Sequence, residues 1–382
     1  MDFRFTKEQE MLRGTIRALI KKECPKELIR EWDRRKEVPV EIIQKFKNLG
    51  LTGVSIPEKY GGTDGNAIDF CIVTEEISKV SVIEGFFAQC MGYGSIIIGD
   101  CGNEEQKQLY LPEIAKGNLL FSYGITEPNA GSDAAAARTM AVASGDNYVI
   151  NGNKMFISGA DVADYIVTLV RTDKSLPKHK GLTLFIIDRK LDGYSAKPLE
   201  KLGGNCLSAC EVVFDNLIVP AKNILGGSGE LNNGWNQFLK TLELEHIQLA
   251  AGALGGMQTS FGDALQYAKE REQFGQPIGK FQAISHLLAE MAIKIEACRW
   301  LTYHAAWLKS EKMPCFKECS ISKIYTTESY RDISLQTMQI FGGYGYMMEF
   351  DAQRHLRDSL IGWLGGGTSQ IHKNMIARSL GL

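Results

Sequence analysis

The sequence has no apolar run long enough to cross a bilayer, and its amino terminus lacks the charged-then-apolar pattern of a secretion signal. We therefore expect a soluble, cytoplasmic protein with no membrane span. The chain also lacks a charge imbalance, because its 43 Lys and Arg residues nearly balance its 45 Asp and Glu residues, which gives a formal net charge of -2. This balance gives no electrostatic reason to expect nucleic acid or an anionic membrane as a partner.

Metal and disulfide patterns are also missing. The nine cysteines are an odd number scattered along the chain, which is typical of reduced thiols in a reducing compartment. Cys206 with Cys210, and Cys315 with Cys319, have a spacing that could bind a metal on a helix. No histidine or further cysteine lies near either pair in the sequence to complete a tetrahedral set, so we predict no metal site.

A chain of 382 residues can bury a large core, and its first part has helical periodicity. Thr6 and Gln9 form a capping-box pattern, and Leu12, Ile16 and Leu19 follow at helical spacing. Similar patterns recur to about Ile114. Residues 1–118 are therefore predicted to form a helical domain.

Short β-rich runs replace the helical pattern in the middle of the chain. They are 148–150, 155–157, 165–170, 182–187 and 211–214. Asn151-Gly152, between the first two runs, predicts a hairpin. Residues 119–226 are predicted to form a small antiparallel β domain.

A glycine-rich joint, 226–234, leads into a second helical region. In it, residues 282–311 place one apolar face at helical spacing, which favours a four-helix bundle over residues 227–382. The predicted fold class is mainly α with a central β subdomain.

Five segments carry the chemistry. On residue types alone, 125–133 (ITEPNAGSD) would be an ordinary loop, although its hydroxyls and backbone N–H groups could bind a polar ring edge or a phosphate. The others are 151–158 (NGNKMFIS), 271–275 (REQFG), 339–343 (QIFGG) and 364–371 (LGGGTSQI). In this order and spread, they resemble motifs of the acyl-CoA dehydrogenases.

This resemblance implies an N-terminal helical bundle, an antiparallel β-barrel-like domain and a C-terminal four-helix bundle, with FAD as cofactor. It also implies an electron-transfer flavoprotein as partner and an oligomer, in this family usually a tetramer. Ile125, Thr126, Phe156 and Ser158 would flank the flavin ring, and Phe156 and Ser158 replace a common tryptophan and threonine. Ser132 would meet both the flavin and the CoA thioester.

The resemblance assigns further binding residues. Those that would hold the adenosine-diphosphate half of FAD, partly from a neighbouring subunit, are Arg271, Gln273, Phe274, Gln339 and Gly343. Thr368 and Gln370 would close over the cofactor. Gln89, Tyr93 and Gly365 would line the acyl pocket, although Cys90 and Met91, between the first two, could equally be core.

The glycine-rich loop departs from the family because Gly366 stands where most members have the catalytic glutamate. Gly366 keeps the backbone N–H that would stabilise charge on the thioester oxygen, but it supplies no base. The run Leu242-Glu243-Leu244-Glu245-His246 resembles members whose base lies on a helix, including the branch with crotonobetainyl-CoA reductase. We therefore predict Glu245 as the base, with Glu243 as second choice.

Glu245 could instead be a solvated helix residue, but its apolar neighbours favour burial, which would raise its pKa. His246 replaces a common arginine, which leaves the orientation of the base open. The three-glycine run could be a flexible turn, or it could widen the acyl pocket. The predicted reaction is α,β-dehydrogenation of an acyl-CoA thioester, or its reverse, enoyl-CoA reduction, with the β-hydride exchanged with flavin N5. An oxidase that uses O2 and a non-catalytic thioester binder are the alternatives.

Overall fold

The computed structural model describes residues 4–37, 39–80 and 88–382, and it describes no side chains for 88–91. The first part is helical. Its helices are α1 (Lys7–Glu23), α2 (Lys26–Arg35), α3 (Val40–Asn48), α4 (Ala67–Ser78), α5 (Ile97–Cys101) and α6 (Glu104–Ala115), with a π-helical segment, Ala88–Ile96, leading into α5.

Side-chain caps fix where several of these helices begin. The predicted capping box is confirmed, because Gln9 N donates to Thr6 Oγ1 (3.2 Å) and Thr6 N donates to Gln9 Oε1 (3.1 Å). Asn66 caps α4 and Asn103 caps α6 in the same reciprocal way. These caps satisfy N–H groups that a helix start would otherwise leave unpaired.

The middle of the chain forms a seven-stranded sheet. Its strands are β1 (Phe121–Gly124), β2 (Met140–Ser144), β3 (Asn147–Ser158), β4 (Tyr165–Arg171), β5 (Leu182–Asp188), β6 (Tyr194–Pro198) and β7 (Ala209–Pro220). The order is β1-β4-β2-β3-β7-β6, and β5 pairs with β4. Most strand pairs are antiparallel, as predicted, but β4 runs parallel to β1 and pairs in parallel with the first residue of β2. The β2–β3 hairpin lies in the β1-to-β4 connection and gives the crossover length that parallel pairing needs.

The predicted hairpin at Asn151-Gly152 is wrong. Both predicted runs belong to the single strand β3, and the hairpin joins β2 to β3 around Gly145. Gly152, at φ 145°, lies at a register shift between β3 and β7, and a Cβ there would lie 2.7 Å from Thr139 Cα. This glycine therefore permits a close strand approach, and not a turn.

The last part is helical again: α7 (Gly234–Glu270), α8 (Gln282–Ser310), α9 (Phe316–Phe341), α10 (Ala352–Ser359) and α11 (Ser369–Ser379), with a short ribbon of β8 (Glu272–Gln273) and β9 (Gln276–Pro277) after α7. Gly256 of α7 brings α9 close, because a Cβ there would lie 2.6 Å from Tyr330 Cζ. The start of α7 packs equally tightly on β5, where a Cβ at Gly234 would lie 2.7 Å from Leu184 N. Helix α7 therefore connects the sheet with the helical bundle. Within the described ranges, no helix is long and apolar enough to span a membrane.

Candidate active site

Glu245 lies on α7 and faces a narrow cavity between α7, β1 and the π-helical segment. We call it the Glu245 cavity; its described lining residues are Gly92, Tyr93, Ile96, Ile97, Tyr123, Thr241, Glu245 and Gln248. Thr241, Glu245 and Gln248 reach it together because spacings of four and three residues place them on one helix face. Apart from Glu245, no described lining residue carries a charge.

The carboxyl group of Glu245 is poised to exchange a proton near neutral pH. Burial raises its pKa from 4.5 to about 7, and the positive charge of Lys323 opposes that rise. Its side chain forms no hydrogen bond with any described group. No described neighbour therefore holds the carboxyl group in one protonation state through a hydrogen bond. The alternative of a solvated carboxylate does not fit these surroundings. Glu243, the second choice, instead pairs with Lys309 at 2.8 Å.

The glycine loop lies directly beside this carboxyl group. A Cβ built on Gly366 would lie 3.8 Å from Glu245 Oε1 and would overlap Leu249 Cδ1. Gly366 has φ 60°, which favours glycine, and its N–H donates to no described acceptor. The Glu245 carboxyl group therefore lies beside a loop whose Gly366 N–H has no described acceptor.

Two buried side chains hold the loop by its carbonyl groups. Lys323 Nζ, on α9, donates to Gly367 O at 2.7 Å, and His372 Nε2, on α11, lies 2.9 Å from Gly366 O. Burial lowers the pKa of Lys323 to about 8 and that of His372 to about 4. Thr368 caps α11 by accepting from Ile371 N at 3.3 Å. These contacts argue against a freely flexible turn.

His246, which replaces an arginine common in the family, packs away from the base. Its ring is 1% exposed and meets the His372 ring edge-to-face at 4.4 Å. Burial, His372 and Lys323 all hold the pKa of His246 well below its ordinary value, so it is neutral. It therefore supports His372 and does not form an ion pair with Glu245.

A buried ion pair between Lys154 and Glu127 holds the loop that follows β1 in place. Lys154 of β3 is 0% exposed and donates to Glu127 Oε1 (2.8 Å) and to Ile125 O (3.3 Å). Glu127 also accepts from the backbone N–H groups of Arg138 and Thr139. The partly buried Ile125 and Thr126 are thereby held next to Tyr123, which lines the Glu245 cavity.

Phe156 presents an exposed aromatic face beside this loop. It has φ 63°, lies at the second register shift between β3 and β7 and is 67% exposed, and the N–H of Met155 donates to Thr126 O at 2.9 Å. A phenylalanine at positive φ is strained, and such strain clusters at functional sites. Ser158 ends the same strand, and its carbonyl accepts from the Ser122 hydroxyl.

A second cavity, of about 500 Å³, lies at the ribbon after α7; we call it the Arg271 cavity. It brings together Arg271, Gln273 and Gly343, with Tyr344 beneath the Arg271 guanidinium at 5.6 Å. Phe274 is 93% exposed and Gln339 is exposed, and neither is among the described residues that line the cavity. The cavity is large enough for part of a cofactor.

The remaining predicted residues lie in different places. Tyr93 lines the Glu245 cavity, and Gly365 adjoins Gly366 in the loop. Ser132 and Gln370 are exposed. Gln89 lies outside the described side chains. Within the described ranges, no group of three or more possible metal ligands comes together.

Five residues that the sequence did not indicate also belong to the site. Three contact or adjoin the glycine loop beside Glu245, namely Lys323, His372 and Leu249, and two line the Glu245 cavity, namely Tyr123 and Gln248. A lysine and a histidine at apolar helix positions were a weak signal of burial for the first two. Nothing in the sequence pattern indicated the others.

Comparison with known proteins assigns the chain to a family. It matches the acyl-CoA dehydrogenase N-terminal domain over residues 6–118, the middle domain over 122–217 and the C-terminal domain over 232–381. The chain belongs to the acyl-CoA dehydrogenase family, flavin-dependent oxidoreductases that act on the CH–CH bonds of acyl-CoA thioesters.

Among its relatives, a short-chain-specific acyl-CoA dehydrogenase of Clostridium acetobutylicum is 38% identical over 379 residues, 99% of each chain. The CarC subunit of the caffeyl-CoA reductase-Etf complex of Acetobacterium woodii is 35% identical over 98% of this chain and 99% of its own. The structure of butyryl-CoA dehydrogenase from Megasphaera elsdenii matches with a TM-score of 0.95 and 33% identity, covering 100% of both chains. These matches agree with the predicted fold class.

Proposed function

We propose that this protein exchanges hydrogen across the Cα–Cβ bond of an acyl-CoA thioester, with Glu245 transferring the α-proton. The observation that carries the proposal is the position of Glu245 Oε1, 3.8 Å from the point where a side chain at Gly366 would begin. The helix carboxyl group thus reaches the space that a loop glutamate would occupy. A pKa of about 7 lets it accept or return a proton near neutral pH.

The N–H of Gly366 is the proposed donor to the thioester oxygen. It has no described acceptor of its own, and the loop is fixed by His372 at the carbonyl of Gly366 and by Lys323 at the carbonyl of Gly367. A donor held in place before the reaction stabilises the negative charge that develops when the α-proton leaves. This makes proton removal by Glu245 feasible.

FAD is the proposed cofactor, and the described residues fit it. Thr126, Phe156 and Ser158 offer an aromatic face and two hydroxyls beside a loop that Lys154 and Glu127 hold rigid. Arg271, Gln273 and Gly343 offer a cationic cavity suited to phosphates. When bound, FAD would supply the acceptor or donor of the β-hydride, at N5.

A neighbouring subunit is the proposed cover of the Arg271 cavity. Phe274 (93% exposed), Tyr346 (77%) and Met348 (69%) are unusually exposed for apolar side chains, and Met347 beside them lines the cavity. The expected assembly is a tetramer, with Phe274 and Gln339 contributing to binding across the interface. Sedimentation of the purified protein tests this.

An electron-transfer flavoprotein is the proposed electron partner, because the relative from Acetobacterium woodii is part of an Etf complex. That relative is a reductase and the one from Clostridium acetobutylicum is a dehydrogenase, so the relatives include both directions of the reaction. The assignment of Glu245 holds for either direction, since the same group removes or returns the α-proton.

The test is anaerobic titration of the FAD-loaded protein with saturated acyl-CoAs, following the loss of oxidised-flavin absorbance. We expect bleaching by the wild type and a rate about 10²–10⁴-fold lower for Glu245→Gln. Glu243→Gln is the matched control, because that glutamate lies on the same helix, pairs with Lys309 and does not line the Glu245 cavity, so the rate should stay unchanged.

Equal bleaching by wild type and Glu245→Gln would refute the role of Glu245. A wild type that no thioester bleaches, while dithionite reduces it, would favour the binder. Rapid return of the oxidised absorbance on admitting air would favour the oxidase.

A further inference from the structure

The Glu245 cavity contains two hydrogen-bonding side chains that proton transfer does not use. Tyr123 is 9% exposed, and its buried hydroxyl has no partner at good hydrogen-bond geometry in the described part of the chain, although it lies near the Thr241 hydroxyl and the Glu245 carboxyl group. Gln248 is 8% exposed, and its amide makes no hydrogen bond with a described group. The neighbouring Thr241 hydroxyl donates its own proton to Phe238 O at 2.9 Å.

Leaving such groups unpaired is costly, about 1–3 kcal/mol for the fully buried Tyr123 hydroxyl. An acyl pocket that receives only hydrocarbon would gain by replacing them with Phe and Leu. The fold instead makes room for one of them: a Cβ at Gly92 would lie 2.5 Å from Gln248 Oε1, so the amide occupies space that glycine leaves free. The polar end of the cavity is therefore a built feature.

The spacing along α7 locates these groups relative to the reacting carbon. Gln248 is three residues beyond Glu245, which at 1.5 Å per residue is about 4.5 Å along the helix axis. A fully extended acyl chain covers that distance in roughly three to four bonds. If Glu245 acts at the α-carbon, the Gln248 amide is level with a substituent on the γ- or δ-carbon.

We propose that the acyl group carries a neutral hydrogen-bonding oxygen, such as a hydroxyl or a carbonyl, at its γ- or δ-carbon, and that Tyr123 and Gln248 bind it. This inference rests on the proposed function. A carboxylate there would find no cation among the described lining residues. Glu245, the one charged group among the described lining residues, is engaged at the α-carbon.

The experiment compares pairs of thioesters that differ by one methyl-to-hydroxyl replacement: pentanoyl-CoA with 4-hydroxybutanoyl-CoA, and hexanoyl-CoA with 5-hydroxypentanoyl-CoA. Flavin-reduction kcat/KM is measured for the wild type. Calorimetric Kd values are measured in the Glu245→Gln background, where the thioester binds without turning over. We expect at least one hydroxylated thioester to be preferred to its partner by tenfold or more in both measurements.

Tyr123→Phe and Gln248→Leu should each reduce that preference ratio to near one. The control is Tyr110→Phe, which alters a tyrosine of similar burial (7% exposed) outside the cavity and should keep the wild-type ratio. A purely structural role for Tyr123 would change both members of a pair equally, and the ratio would stay constant.

Equal or better use of the hydrocarbon thioesters by the wild type would overturn this inference while leaving the proposed function intact, provided Glu245→Gln still blocks bleaching. The inference would also be overturned if neither Tyr123→Phe nor Gln248→Leu changes the preference for the hydroxylated thioester. The two side chains would then not bind the oxygen of the acyl group. Failure of these four and of every other saturated acyl-CoA to bleach the wild type, while dithionite reduces it, would remove the proposed function, and this inference with it.

Discussion

Leu249 Cδ1 overlaps the position that the first side-chain atom of residue 366 would take. The helix that supplies the proposed base thus also keeps the loop free of a side chain. Gly366→Ala should be destabilising, by about 1–2 kcal/mol for the left-handed backbone and about 1–3 kcal/mol for the overlap with Leu249. The measurement is the free energy of unfolding in urea.

A double-mutant cycle separates the two contributions. Leu249→Ala should remove the overlap and not the backbone strain, so Gly366→Ala should cost less in the Leu249→Ala background than alone. Strictly additive costs would mean that the two residues do not compete for the same space. By the same reasoning, Gly366→Glu alone should not create a working loop base.

The pH dependence of flavin reduction should report Glu245. As a base it must be deprotonated, so the rate of thioester oxidation should rise with pH through about 7, the pKa that burial gives this group. In the reductive direction the protonated form is needed, and the rate should fall through the same range. Anaerobic single-turnover mixing measures both directions. A profile without a midpoint near that value would contradict the assignment, while Glu243→Gln should keep the wild-type midpoint.

Local sequence signals predicted the elements that local forces determine. The capping box at Thr6 and Gln9 and the helix that begins at Gln282 are confirmed, because both depend on residues within a few positions of one another. The hairpin prediction at Asn151-Gly152 failed because glycine is favoured both in turns and where two strands approach closely. Only the position of Thr139, known from the structure, distinguishes the two cases.

The candidate site was predictable in kind but not in detail. The glycine in place of the usual glutamate pointed to a helix carboxylate, and apolar neighbours on α7 indicated that Glu245 is withdrawn from solvent, where the structure has it partly buried. The contacts of Gly366 with Leu249 and of Gly367 with Lys323 join segments far apart in the chain, and no periodicity encodes them. Whether the predicted residues carry out these roles stays a prediction that the experiments test.

Lys323 should set the pKa of the base as well as hold the loop. Its positive charge lowers the pKa of Glu245, so Lys323→Met should raise that pKa and move the midpoint of thioester oxidation to higher pH. The substitution also removes the 2.7 Å contact with Gly367 O, which should lower the maximal rate. Lys309→Met is the control, because Lys309 pairs with Glu243 and should leave the midpoint in place. A midpoint that stays constant or moves to lower pH in Lys323→Met would contradict the electrostatic role.

Glu245 should also make stability depend on pH. Its pKa is raised from 4.5 to about 7 on folding, so the folded state binds the proton more tightly than the unfolded state. That contribution to stability is complete below the unfolded pKa and is lost as pH rises through the folded pKa. At about 1.4 kcal/mol per pKa unit, the loss is roughly 3 kcal/mol.

Glu245→Gln cannot ionise and should therefore be more stable than wild type above pH 7, with the advantage disappearing in acid. Urea unfolding of the FAD-loaded proteins on both sides of that pH measures it. A constant stability difference across the range would show that Glu245 does not titrate within it.

Phe156 should matter for the cofactor and little for the fold. Its side chain is 67% exposed, so Phe156→Ala should change the free energy of unfolding of the FAD-free protein by no more than about 0.5 kcal/mol. The same change removes the aromatic face proposed to contact the flavin ring. An aromatic contact of this kind is worth about 0.5–1.5 kcal/mol, which corresponds to a Kd for FAD roughly 2- to 12-fold weaker. Fluorescence titration with FAD measures it, and Phe156→Trp should retain tight binding. Unchanged FAD affinity in Phe156→Ala would place the flavin ring elsewhere, and a large loss of stability would mean that the strained phenylalanine serves the fold.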